Sequence, residues 1–220
     1  MNTYFKPLHT NRAVLCGTVE TVPVPSHTNH EQSFSRFFLS VPRLSGQCDR
    51  LPVLAPQQLT DSLDLQPGNN VCLTGQLRSY NNKTGTTPRL VLNVLARTIV
   101  LSDDAPCNVI RLSGTICKTP SYRRTPLGRQ ICDVILAVNR RYGRADYLPC
   151  ICWGAIAQQT ALLDVGATLA LEGRIQSRTY TKTLPDRQTE ERTAYEVSVM
   201  RPLASDDFCP PFFEAFPSYS

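Results

Sequence analysis

The sequence repeats itself at an offset of 97 residues, and this limits the architectures open to it. The segment NRAVLCGTV at 11–19 aligns with NVIRLSGTI at 108–116, placing Gly17 over Gly114. At the same offset LSVPR at 39–43 falls over LAVNR at 136–140, and DRLP at 49–52 over DYLP at 146–149. With one residue of slippage, VCLTGQLRS at 71–79 matches LALEGRIQS at 169–177. One domain has been duplicated, so the fold must be one that about a hundred residues can complete.

Each copy reads as period-two strands separated by turn chemistry, with one short helical stretch. In the second copy the strands are predicted near 109–118, 130–139, 146–153, 168–180 and 193–202. The helix is predicted within GAIAQQTALLDVG, where Ile156, Thr160 and Leu163 recur at helical spacing and Gly166 lies beyond the end. Five strands with a helix between the third and fourth is the layout of an OB-fold, a small Greek-key barrel. The prediction is therefore an all-β chain of two tandem five-stranded OB-fold barrels, each with that helix. Gly17, Gly75, Gly114 and Gly173 fall inside strands, where a missing side chain permits the bends a small barrel needs. The expected units are a first barrel over 1–102, a linker at 103–107, a second barrel over 108–203 and a tail at 204–220.

Composition removes several function classes. No run of 18 apolar residues marks a membrane span, and MNTYFKPLHTNR lacks the apolar segment of a secretory signal, which predicts a cytoplasmic protein. The nine cysteines stand singly apart from Cys150 and Cys152, with no CxxC, and the three histidines, His9, His27 and His30, all lie near the N-terminus. That pattern predicts neither a disulfide framework nor a metal site, and no cofactor. Cys150 and Cys152 read as small core residues. No nucleophile-and-base arrangement or phosphate-cradling glycine loop appears, so no enzymatic activity is expected.

The formal charge of +5 is unevenly placed: residues 108–203 hold 14 basic and 8 acidic side chains, against 8 and 5 in residues 12–102. In ADYLPCICWG at 145–154, strand alternation puts Leu148, Cys150 and Cys152 on one face and Tyr147, Pro149, Ile151 and the single tryptophan, Trp153, on the other. The segment after the helix has Leu169, Leu171, Gly173 and Ile175 on its core side and Arg174, Gln176, Arg178 and Tyr180 outward. Around these lie the loops SYRRTPLGR, with Tyr122, Arg123, Arg124 and Arg129, and NRRYGRA, with Arg140, Arg141, Tyr142 and Arg144; Lys182 adds a further cation. Rings interleaved with cations on one barrel face suit single-stranded nucleic acid, because unpaired bases stack on the rings while guanidinium groups neutralise phosphates.

The same segments carry a family resemblance. NVIRLSGTICKTPSYRRTPLGRQICDVILAVNRR, ADYLPCICWGAIAQ and VGATLALEGRIQSRTYT resemble, in order and spacing, the bacterial single-stranded-DNA-binding protein family over residues 108–202. The resemblance implies stacking roles for Tyr142, Tyr147, Trp153 and Tyr180 and phosphate roles for Arg140, Arg141 and Arg178. It also implies a non-enzymatic role in replication, recombination or repair, and a homodimer presenting four OB-folds. In the first copy Arg50 and Pro56 stand where Tyr147 and Trp153 would, and Ser45 where Tyr142 would, while Leu51, Val53 and Ala55 keep the core face. Arg43, Arg78 and Tyr80 are secondary DNA-contact candidates. This copy is read as mainly structural or dimerising, the alternative being a second DNA surface built differently. The tail ASDDFCPPFFEAFPSYS is similar to the family's partner-recruiting tip at Asp206, Asp207, Phe208, Pro211 and Phe212, with packing on the barrels as the other reading. The competing function is an OB-fold interaction protein or primosome-type accessory factor with weak nucleic-acid binding.

Overall fold

A computed structural model of the chain describes residues 10–82, 90–140, 143–183 and 188–204. In the first repeat, strands β1 (Asn11–Val19), β2 (Val24–Asn29), β3 (Gln32–Pro42) and β4 (Cys48–Pro56) precede helix α1 (Gln57–Ser62), and β5 (Asn70–Asn81) and β6 (Leu90–Leu101) follow it. The second repeat has the same order: β7 (Cys107–Ile116), β8 (Ser121–Arg124), β9 (Gln130–Asn139), β10 (Ala145–Trp153), α2 (Gly154–Thr160), β11 (Thr168–Thr183) and β12 (Thr189–Pro202). Pairings β1–β3–β4–β6–β5–β1 close one five-stranded ring and β7–β9–β10–β12–β11–β7 close another. Each ring has an added edge strand, β2 or β8. The sequence pattern predicts loop over the β8 segment. Its four residues are all exposed, so no apolar alternation announces the strand. Helix α2 is also shorter than the spacing predicts: it stops at Thr160, and Leu163 packs on the core from beyond its end.

Strand alternation places the core as expected. Leu148, Cys150 and Cys152 are buried on the inner side of β10, as Leu51, Val53 and Ala55 are on β4. Gly75 and Gly173 sit at bulges where β5 meets β6 and β11 meets β12, and a Cβ at either would run into a carbonyl of the neighbouring strand, that of Leu95 or of Ser198. One expectation is overturned. Cys16 and Cys72 form a disulfide between β1 and β5, where they are direct antiparallel partners with Cα atoms 4.1 Å apart. They are separated by 56 positions in sequence, so spacing alone could not disclose the pair.

The two barrels are joined edge to edge. β1 pairs antiparallel with β7, and the partner of Ala13 is Ile110, its own counterpart in the repeat, so the contact has a local two-fold. Polar contacts follow the same symmetry. Asn11 donates to the Leu77 carbonyl (2.7 Å) and accepts from the Leu77 N–H (2.8 Å), while Asn108 does the same with Ile175 (2.8 and 3.0 Å). Each long terminal hairpin also crosses to the other barrel. Arg43 grips Asp49, which accepts the Ser177 N–H of β11 (2.9 Å). Arg140 grips Asp146, which accepts the Ser79 N–H of β5 (2.6 Å), while Arg140 also donates to the Ser79 carbonyl (2.9 Å). Both aspartates are buried.

Candidate nucleic-acid interface

Strand β10 presents its aromatic side outward because its other side is barrel core. Tyr147, at the start of the strand, is 48% exposed. Trp153, at its end, is half-buried, and its indole N–H donates to Ser198 Oγ on β12 at 3.0 Å. That bond fixes the ring plane, so the indole is an oriented platform rather than a loose side chain. The register continues the platform sideways: Trp153 pairs with Ile131 on β9, Ile131 with Arg123 on β8, and Ser198 with Arg174 on β11. Arg123 thus shares a rank with Trp153, while Arg174 lies in the neighbouring rank with Ser198 and Ile151, linked to Trp153 through the indole bond to Ser198. Ile151, on the same outward side, is buried, so this part of the face is a packed apolar floor. Nothing in the sequence pattern singles out Ser198; its register position opposite Ile151 carries it there.

The expected cations divide into two groups. Arg124, Arg129, Arg144 and Arg178 are exposed, and Arg174 is half-buried. The Arg178 guanidinium lies 5.6 Å from the Tyr180 ring centre, a cation–π arrangement on the β11–β12 hairpin. Arg123 donates to Asp133 at 2.9 Å, but both side chains are well exposed, and such pairs hold by less than about 1 kcal/mol and release readily.

Arg140, Arg43 and Arg78 are placed differently from the phosphate-contact expectation. Arg140 and Arg43 hold buried Asp146 and Asp49, and Arg78 joins Asp146 at 2.9 Å and Gln76 at 2.7 Å. A guanidinium paired with a buried carboxylate stays where it is, because leaving would strand the charge. These three arginines knit the repeats together. Tyr80 remains outward and 55% exposed. Arg141, Tyr142, the Lys182 side chain, and Asp206, Asp207, Phe208, Pro211 and Phe212 lie outside the described residues.

On the acidic side, burial alone would push the Glu172 carboxyl up, but hydrogen bonds and charges from Arg201 and Arg111 outweigh it and hold the group below its usual range. Burial pushes the Cys150 thiol well up, which suits an inert core residue. Among the described residues no group of histidine, cysteine, aspartate or glutamate is arranged to hold a metal ion, and no helix is long and apolar enough to cross a membrane.

Comparison with known proteins places this face in context. The model of the single-strand binding protein family matches residues 107–202. Single-stranded DNA-binding protein B of Bacillus subtilis is 38% identical over 80 residues, covering 33% of this chain and 71% of that protein. The chain belongs to the single-strand binding protein family. Another relative, single-stranded DNA-binding protein 2 of Clostridium acetobutylicum, is 34% identical over 97 residues, covering 40% of this chain and 73% of that one. The match to the single-stranded DNA-binding protein of Clostridium tetani, 35% over 80 residues, spans 55% of that relative. All of this sequence likeness is carried by less than half of the chain. The fold likeness extends over both repeats: wild-type single-stranded DNA-binding protein from Thermus aquaticus superposes with a TM-score of 0.68 at 21% identity, covering 89% of this chain and 92% of that one. A deletion variant of the same Thermus protein gives 0.70 at 20% identity, covering 96% and 98%.

Proposed function

We propose that the chain binds single-stranded DNA through the outer face of its second barrel, stacking bases on Tyr147 and Trp153 and holding phosphates with the exposed arginines around them. The observation that carries this reading is the oriented Trp153 ring, tied by Ser198, with Arg123 in its own rank and Arg174 in the neighbouring one. Stacking contributes roughly 1–3 kcal/mol per base whatever the base, so recognition is independent of sequence. Tyr180, under Arg178, extends the path, and the family resemblance assigns Tyr142 a stacking role as well. The protein acts without catalysis, in the cytoplasm of a bacterium or a phage-infected cell, protecting strands exposed during replication, recombination or repair. Recruitment of other proteins of these processes through Asp206, Asp207, Phe208, Pro211 and Phe212 belongs to the same reading.

Because Trp153 is the single tryptophan, its emission reports on the platform directly. Titration with a thymine oligonucleotide is expected to quench it to saturation. The apparent affinity should fall with salt at a log–log slope of about −0.7 per phosphate neutralised. Unchanged emission at saturating oligonucleotide would remove Trp153 from the site and favour an accessory protein whose barrels bind other proteins. A homodimer presenting four barrels completes the proposal; sedimentation equilibrium is expected to give twice the 24.5 kDa of one chain.

A further inference from the structure

Cys16 has a cysteine opposite it on both neighbouring strands. Its antiparallel partner on β5 is Cys72, to which it is bonded, and its antiparallel partner on β7 is Cys107. Residues directly opposed in antiparallel strands point to the same face of the sheet, so Cys72, Cys16 and Cys107 form one rank. That rank lies on the side of β1 away from the core residues Ala13 and Leu15, where the two barrels join. Opposed Cα atoms lie about 4.5–5.5 Å apart, a span that a disulfide bridges without moving the backbone. The register therefore accommodates a bond from Cys16 to either neighbour.

The surroundings single out Cys107 as an attacking thiol. Its S–H donates to the Val14 carbonyl at 4.0 Å, so the sulfur already leans across to β1. It approaches Cys16 from the side away from Cys72, the line along which a thiolate displaces a disulfide sulfur. Cys107 is free and half-buried, whereas Cys16 and Cys72 are 6% and 3% exposed. A sulfur already in the rank thus reaches the bond more readily than a thiol arriving from solvent. The departing sulfur is provided for as well. Asp104 Oδ2 lies 3.7 Å from Cys72 Sγ, an acceptor for the thiol that exchange releases, and Ser102 donates to the same oxygen at 2.6 Å.

The duplicated half has no such row. The counterparts of Cys107, Cys16 and Cys72 are Thr10, Ser113 and Ala170. Ser113 again pairs with Ala170, and its N–H donates to the Thr10 carbonyl at 2.8 Å. The same backbone is built there without sulfur, so packing alone does not call for the cysteines.

We infer that Cys72, Cys16 and Cys107 form an intramolecular thiol–disulfide exchange site, which moves one covalent bond from inside the first barrel to the junction between the repeats. The Cys107 thiol gives up its proton and its thiolate attacks Cys16 Sγ. The bond between Cys16 and Cys107 forms as that between Cys16 and Cys72 breaks, and Cys72 leaves as a thiolate that takes up a proton. One disulfide and one thiol stand on each side, so neither oxidant nor reductant is consumed. Bonded to Cys72, Cys16 ties β1 to β5 within one barrel; bonded to Cys107, it holds the two repeats together even when the hydrogen bonds between them open.

Trypsin separates the three cysteines, which fall in peptides 13–36, 51–78 and 98–111. Burial pushes the Cys107 thiol up, so the full chain is incubated at alkaline pH, where the attacking thiolate forms, under argon and with no added oxidant or reductant. Samples are quenched in mild acid with N-ethylmaleimide and mapped without reduction. The chain is expected to begin with 13–36 joined to 51–78. On incubation 13–36 joined to 98–111 should appear, each equivalent matched by the loss of one equivalent of the first pair, with total free thiol unchanged. Cys107→Ser should keep the first pair throughout. Cys72→Ser, which leaves Cys16 with Cys107 alone in the rank, should give the second pair on treatment with oxidised glutathione. A wild-type chain that never shows the second pair, or gains it only as free thiol is lost, would overturn the exchange site. So would failure of Cys72→Ser to join Cys16 to Cys107.

Discussion

Replacing Asp146 with alanine is expected to destabilise the protein by about 3–5 kcal/mol, a large fraction of the roughly 5–15 kcal/mol that holds a typical native protein together. Asp146 is fully buried and accepts from Arg140, Arg78 and the Ser79 N–H. Its removal leaves two guanidinium groups and a backbone donor without their acceptor. The cost comes less from the loss of attraction than from the part-buried guanidinium groups and the Ser79 N–H left without their acceptor. Urea unfolding followed by circular dichroism measures it, with Asp164→Ala at an exposed position as the control, expected within about 0.5 kcal/mol of wild type. Asp49→Ala should behave like Asp146→Ala, since Asp49 holds Arg43 and Ser177 in the symmetric place. The paired aspartates also make the repeats interdependent, so the wild-type chain is expected to unfold in one transition. An Asp146→Ala midpoint within error of wild type would show that these ion pairs do little to join the barrels.

The parts of this architecture that alternate along one strand are legible in the sequence. The inner row Leu148, Cys150, Cys152 declares itself because a strand buried on one side must repeat apolar residues at period two, and the duplicated row Leu51, Val53, Ala55 repeats the statement. Pairing partners are another matter. Arg140 looks like any loop arginine, and nothing in its neighbours reveals that Asp146, six residues on, turns back to meet it beneath Ser79 of the other repeat. The Cys16–Cys72 bond depends on the register of β1 against β5, which a scattered set of nine cysteines does not encode locally. Short exposed β8 carries no apolar signal at all, and its place is set by hydrogen bonds to β9. Sequence periodicity speaks for single strands, whereas the site is made where strands from distant segments are brought side by side.

The combined variant Tyr147→Ala, Trp153→Leu is expected to weaken binding to a thymine oligonucleotide by roughly 2–6 kcal/mol, the sum of two stacking contributions. Additivity follows from geometry: about six residues of extended strand separate the rings by about 20 Å, so each serves a different base. Leucine at 153 keeps apolar cover beside Ile131 and Ile151 while removing the π-face, so a loss of affinity reads as lost stacking rather than lost packing. Fluorescence anisotropy of a labelled oligonucleotide is the measurement, since the variant has no tryptophan of its own. Its salt dependence supplies the decisive comparison. Removing rings leaves the arginines on their phosphates, so the log–log slope should match wild type while the whole line moves to weaker binding. Arg124→Ala with Arg129→Ala should do the opposite, flattening the slope by about 0.7 for each phosphate that is no longer neutralised. If the ring variant, folded as wild type, bound with undiminished affinity, the outward face of β10 would be no stacking surface, and the cations alone would have to account for binding.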